Sequence, residues 1–248
     1  MPVYQSEALI LRTYKLGEAD KIVVFLTRDR GKKRGVAKGA RRARSSYTGA
    51  LEPMTRAGVA YYEREQRELV RLNFVEPMRS PLSAASGDAL GYVGYFAELI
   101  DEWAPEAHAD ERLYRLGASI VEAMAAGAAG ETLARYFEYW LLRLQGVYPS
   151  LRLCGGCGGP LDDGAAMPVR EILLLCGDCS PAGGTRISAE AMVFLRRATT
   201  IAPDHLVSLT LSARAARELE TAHRRLINVH LEKELKSARV LREMRQIR

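Results

Sequence analysis

The chain has 248 residues, 48% of them apolar and 27% charged, the composition of a soluble globular protein with room for two domains. No run reaches the roughly 18 consecutive apolar residues of a membrane span. The N-terminus MPVYQSEALILRTYK lacks the basic start, long apolar core and small-residue cleavage site of a secretory signal, so a cytoplasmic protein with no membrane partner is expected. The net charge of +6 is uneven: residues 28–44, RDRGKKRGVAKGARRAR, hold nine basic side chains against one acid, a net +8, which leaves −2 for everything else.

From Tyr4 to Glu76 the signals are those of short strands. EALILRTY (Glu7 to Tyr14) and KIVVFLT (Lys21 to Thr27) are aliphatic and β-branched, and KLGEAD between them supplies turn residues. The basic block follows. An alternation of two predicts a strand with Lys32, Arg34, Val36 and Lys38 on one face and small residues on the other, where a curved sheet approaches its neighbours. Like charges this close repel, and a polyanion relieves that repulsion while releasing its own counterions, so Arg28, Arg30, Lys32, Lys33, Arg34, Lys38, Arg41, Arg42 and Arg44 are candidate nucleic-acid contacts. The plainer alternative is a solvated basic face. Two further runs, Gly58 to Tyr62 and Glu68 to Val75, bring the count to five strands in about 75 residues with little helix between them, which predicts a small barrel of the oligonucleotide-binding (OB) or SH3-like kind.

Near Ser83 the period lengthens to about 3.6 residues. Helices are predicted over Ala89 to Trp103, from an Asp110 cap through Met124, and over Glu131 to Gln145. The third is apolar around its girth and is expected at the centre of a helical core, with its aromatics as packing. Cysteine appears only after it, as Cys154, Cys157, Cys176 and Cys179 in the pattern C-x2-C-x18-C-x2-C. Paired thiolates on glycine-loosened turns can close a tetrahedron around one zinc ion, and EILLLC (Glu171 to Cys176) is read as the return strand of a hairpin between them. A four-cysteine site leaves no coordination position for water, so that zinc is structural. His108, His205, His223 and His230 show no ligand spacing, and no phosphate loop, nucleophile elbow or zinc-protease motif occurs, which argues against an enzyme. Ser188 caps a further helix, and from Ser212 to the end the sequence is almost continuously helix-forming. Lys236, Arg239, Arg242, Arg245 and Arg248 recur there at intervals of three and form a possible second phosphate-contacting strip, although a helix C-terminus favours cations in any case. Charge is divided accordingly: residues 45–211 hold 14 basic against 21 acidic side chains, and 212–248 hold 10 against 5.

The run EALILRTYKLGEADKIVVFLTRDRGKKRGVAKGARRARSSYTGALEPMT resembles the start of the bacterial DNA repair family RecO, above all in its R-G-V-A-K-G-A-R core and the G-A-L-E-P-M that follows. RYFEYWLL (Arg135 to Leu142), followed by Gly146-Val147-Tyr148, is similar to the family's central helix, and the cysteines stand where many members carry a zinc module. The resemblance implies an α+β chain, with a five-stranded OB-fold barrel over 1–80 and a helical domain over 81–248 into which a zinc finger over 150–183 is inserted. It also implies a non-catalytic recombination mediator that binds single- and double-stranded DNA, anneals complementary strands and, with RecR, helps RecA onto DNA coated by single-stranded-DNA-binding protein. Location would then be cytoplasmic, at the nucleoid during repair. By the same resemblance Arg34, Lys38 and Arg41 lead the DNA contacts, and Arg135 is a candidate for pairing with the acidic tail of the single-stranded-DNA-binding protein. An RNA-binding or ribosome-associated zinc-ribbon protein is the alternative from another class, and a metal-dependent nuclease is a third.

Overall fold

The computed structural model describes residues 3–63, 68–83, 87–106, 108–180 and 184–246. Five strands, β1 (Val3–Leu16), β2 (Asp20–Thr27), β3 (Gly31–Ala37), β4 (Arg56–Tyr62) and β5 (Leu69–Arg79), close an OB-like barrel in the order β1-β2-β3-β5-β4. Neighbours run antiparallel except β3 and β5, which are parallel. The interior is Ala8, Ile10, Val23, Phe25, Val59, Tyr61, Val70, Leu72 and Val75, with Tyr47, Ala50 and Leu51 from the β3–β4 connection packed against them. The small inward face expected of the basic strand has a steric reason. A Cβ on Gly35 would stand 3.0 Å from side-chain carbons of both Leu72 and Val70, tighter than ordinary contact, so glycine lets β3 close on the core without displacing them.

One residue breaks the alternation. Val70 and Leu72 point inward, and a strict period of two would send Phe74 after them. Instead Tyr61 pairs with Leu72 and Ala60 with Phe74, which leaves Asn73 as an extra residue in β5. This bulge hands the next inward position to Val75 and turns Phe74 out.

Two helices follow the barrel, α1 (Gly87–Trp103) and α2 (Glu111–Ala125), near the predicted bounds. The Asp110 carboxylate accepts from the Leu113 amide at 2.9 Å, which satisfies one free donor at the start of α2. On that helix a Cβ at Gly117 would lie 2.5 Å from a Leu9 methyl, so glycine sets how closely α2 packs on β1. By contacts these elements form one compact unit, Met1–Gly127 with Leu235–Arg248. The other unit, Ala128–Glu234, contains α3 (Gly130–Leu144), the two-stranded sheet β6 (Gly164–Met167) and β7 (Thr185–Ser188), α4 (Ala189–Ala198) and α5 (Ala213–Leu231). Helix α3 is buried on nearly every face, as its composition predicted. Among the described residues no helix is long and apolar enough to cross a membrane.

Two expectations need correction. EILLLC is no hairpin strand: only Leu175 makes a bridge, with Ala166, and the partner of β6 is β7, beyond the last cysteine. Backbone groups on either side of that bridge are spent on the cysteine turns, the Leu174 carbonyl accepting from the Gly155 amide at 2.8 Å and the Cys176 amide donating to Cys154 Sγ. The C-terminal segment is likewise not one helix. It stops at Leu231, where Glu232 adopts a left-handed backbone (φ 54°), and restarts as α6 (Lys236–Gln246). The break is held by Glu98 of α1, whose buried carboxylate accepts from the amides of Lys236 (3.3 Å) and Ser237 (2.7 Å) and from the Ser237 hydroxyl. An acid there also complements the positive end of the α6 dipole.

Candidate nucleic-acid interface and metal centre

The basic block is split in two by its partners. Its first half is paired with acids, one of them the block's own Asp29 and the others from elsewhere in the barrel unit. Arg28 reaches Glu111 at 2.9 Å, Arg30 lies 3.8 Å from Asp29, Lys33 meets Glu63 at 2.7 Å, and Arg34 lies 3.6 Å from Glu106. Arg30 also sits 4.0 Å above the ring of Tyr4. Lys32 goes furthest inward, at 8% exposure. Its ammonium donates to the Asp101 carbonyl at 2.6 Å and pairs at 3.4 Å with the carboxylates of Asp101 and Glu106. A lysine so placed clamps β3 to the end of α1, and its charge is consumed by the fold. That corrects its assignment as a phosphate contact.

The second half lies on the connection after β3, and Lys38, Arg41, Arg42 and Arg44 are all exposed. None of the four forms an ion pair among the described residues. Arg41 spends its donors locally, its guanidinium on the Gly17 carbonyl at 2.6 Å and its amide on the Ala19 carbonyl. The Gly39 amide bonds Asp20 at 2.8 Å. These bonds seat the basic connection on the β1–β2 turn, so the cations are presented from a shaped surface. The dividing acids Glu63, Asp101, Glu106 and Glu111 are remote in sequence from the block and follow no local pattern, and sequence reasoning missed them.

Of the C-terminal strip, Lys236, Arg239 and Arg245 are exposed and Arg242 is half-buried. Arg245 donates to the Tyr92 hydroxyl, and Arg248 lies outside the described residues.

The four cysteines meet. Their sulfurs lie within 4.8 Å of one another, and Cys157 Sγ and Cys176 Sγ are 3.8 Å apart. That spacing matches the edge, about 3.8 Å, of a sulfur tetrahedron with Zn–S bonds of about 2.3 Å. Amides of Gly156 and Gly159 donate to Cys154 Sγ and Cys157 Sγ at 3.4 Å, and the Cys176 amide donates to Cys154 Sγ at 3.3 Å. Backbone donors at Cys157 and Cys176 lower the Cys154 thiol to about 6, whereas hydrogen bonds among the crowded sulfurs, first with Cys157, raise Cys179 to about 12. The thiolate is thus favoured at Cys154 and opposed at Cys179, and holding four thiolates this close would need a cation at their centre. The donor set therefore fits one closed tetrahedral metal site.

Arg135 is not at the surface. At 2% exposure it pairs with Glu138 at 3.0 Å and faces Glu220 at 3.9 Å, so its expected role toward an acidic tail is corrected by burial. Glu138 in turn bonds His223 Nδ1 at 2.9 Å, and His223 Nε2 meets the Tyr148 hydroxyl at 2.9 Å. Burial lowers the His223 imidazole and lifts the Tyr148 phenol well above its ordinary value. A neutral imidazole donating from Nδ1 and accepting at Nε2 satisfies both partners. This reads as core, in keeping with the plain expectation for the histidines.

Two family descriptions match the chain, Recombination protein O N terminal over residues 1–81 and Recombination protein O C terminal over 84–239. Among curated relatives, a DNA repair protein RecO of Koribacter versatilis is 38% identical over 191 residues, covering 75% of this chain and 77% of its own. One of Anaeromyxobacter sp. (strain K) is 33% identical across 95% and 94% of the two chains, and one of Desulforudis audaxviator is 33% identical across 98% of each. The matches span the barrel, the basic connection and the cysteine cluster alike: the chain belongs to the recombination protein O (RecO) family.

Proposed function

We propose that this chain is a non-catalytic mediator of DNA repair and homologous recombination, binding single- and double-stranded DNA through the turn after β3. The observation that carries the reading is the group Lys38, Arg41, Arg42 and Arg44, exposed and, among the described residues, without an ion pair, on a small barrel whose other block cations are paired with acids. Contacts of this kind hold phosphates and do not read bases, which suits a factor that must act at any sequence. By screening two strands at once the turn lowers their mutual repulsion and so speeds annealing. Within this reading the chain pairs with RecR and helps RecA displace single-stranded-DNA-binding protein. It takes that protein's acidic tail on a surface other than Arg135.

Zinc is the metal this reading assigns to Cys154, Cys157, Cys176 and Cys179, since an all-thiolate tetrahedron suits it and holds structure without activating water. DNA is favoured over RNA by the name the relatives carry, DNA repair protein. The test is annealing of complementary oligonucleotides precoated with single-stranded-DNA-binding protein, comparing the parent with a variant in which Lys38, Arg41, Arg42 and Arg44 are alanine. Fast annealing by the parent and loss in the folded variant is the expected result. A folded, metal-loaded parent that does not anneal sinks the reading.

A further inference from the structure

On the outward face of β4 and β5, Arg56 and Arg79 pair with Glu122, whereas Phe74 and Tyr62 make no ring contact among the described residues. Phe74 is 51% exposed, turned out by the bulge at Asn73 when the inward alternation of Val70 and Leu72 would have buried it. The bulge thus directs a large apolar ring into water, and bulges that re-aim a side chain gather at functional surfaces. Across β4 the outward positions beside it are Ala60 and Gly58, too small to cover the ring, and then Tyr62, half-buried. On the far side of Tyr62 stands Val3 of β1, 50% exposed. Neither Phe74 nor Tyr62 stacks on another ring among the described residues.

Charge says what covers this face. Tyr62 is paired directly with Arg71, and Arg71 with Val36 of β3. Arg71 is exposed and forms no ion pair among the described residues. Val36 is flanked on the same face by Arg34, and Lys38 follows two residues on, so the aromatic positions run through Arg71 into the free part of the basic block. The nearest outward acid on β5, Glu76, lies past Phe74 at the end away from Arg71. An apolar protein partner would be met by cations on one side. A single nucleic-acid strand matches both features, since bases offer π-faces to exposed aromatics and phosphates meet the arginines.

We infer that the β4–β5 face is a base-stacking platform for single-stranded DNA, with Phe74 and Tyr62 each stacking a base and Arg71 contacting the phosphate as the strand passes toward Lys38. It rests on the DNA-binding reading above and adds to it a way to tell strands from duplex. Bases paired in a duplex are already stacked on one another and cannot lie on the rings, whereas phosphate contacts serve both forms.

The experiment uses the full-length, metal-loaded protein with a fluorescent oligothymidylate and a fluorescent duplex of equal length at fixed salt. Phe74→Ala is expected to weaken single-strand binding by roughly fivefold to 150-fold while leaving duplex binding and thermal stability unchanged. Phe74→Trp is expected to keep binding and to show emission quenched by the oligonucleotide beyond any quenching in the parent, whose Trp103 and Trp140 belong to α1 and α3. Single-strand affinity unchanged in Phe74→Ala overturns the platform, as does an equal loss on both substrates. Loss only of binding to another protein overturns it in favour of a protein-docking face. A parent that binds neither substrate overturns the DNA reading itself, whereas a parent that binds both and is indifferent to Phe74 overturns only the platform.

Discussion

Lys32 and Lys38 stand six positions apart in one basic run and do opposite work. Lys32 sits between Asp101 and Glu106, so removing its charge leaves the mostly buried Asp101 with Arg12 as its remaining cation and Glu106 with Arg34 and water. Lys32→Ala is expected to cost about 3 kcal/mol, the low end for breaking a buried pair because Glu106 can still reach water, and to shift the urea midpoint while leaving the salt dependence of DNA binding unchanged. Lys38→Ala is expected to leave stability within about 0.5 kcal/mol and to lower the slope of log affinity against log salt for duplex by about 0.9. A reversed pattern would exchange their roles. His223 gives a prediction in pH. Its folded imidazole titrates below the ordinary 6.5 because burial disfavours the cation, so between those values the unfolded chain binds the extra proton. Its contribution to stability is complete above about pH 6.5 and is lost as pH falls toward the lowered folded value. Thermal melts across this window should show acid destabilisation that His223→Gln flattens. A parent that gains stability on acidification through the window would contradict the assignment.

The two elements with the least core of their own depend on borrowed groups. The cysteine turns contain little regular structure, so a metal on the four sulfurs would supply much of their cohesion. Chelation, or Cys157→Ser, is expected to abolish one-to-one zinc binding and to speed amide exchange over 154–179, with exchange in β1–β5 unchanged. Slow exchange there in the metal-free protein would show that the turns stand alone. Helix α6 depends on Glu98, whose carboxylate serves two amides and a hydroxyl at its start. Glu98→Ala is expected to cost roughly 2 kcal/mol, a charged cap lost together with a buried hydrogen-bonded group, and to free residues 236–246 to exchange.

Across the whole molecule, much of the architecture was legible in the amino-acid order because it rests on local rules. Alternating β-branched runs separated by glycine and aspartate give strands wherever they occur, Asp110 and Ser188 cap helices through their own side chains, and four cysteines at this spacing have few other ways to be satisfied. The concentration of charge in 28–44 was equally plain, since charge is a property of residue type. Three things needed the tertiary structure. Which cations of the block remain available depends on Glu63, Asp101, Glu106 and Glu111, brought to it by chain folding. Arg135 lies inside because the middle of α3 is surrounded, which hides Arg135 and Glu138 together. Phe74 faces outward because β5 carries an extra residue, Asn73, between the partners of Ala60 and Tyr61 of β4, a mismatch that appears only when the two strands are paired. Local preference is written residue by residue. Register, burial and ion pairing are relations between distant residues, and only the closed barrel and the packed helices bring those residues within reach of one another.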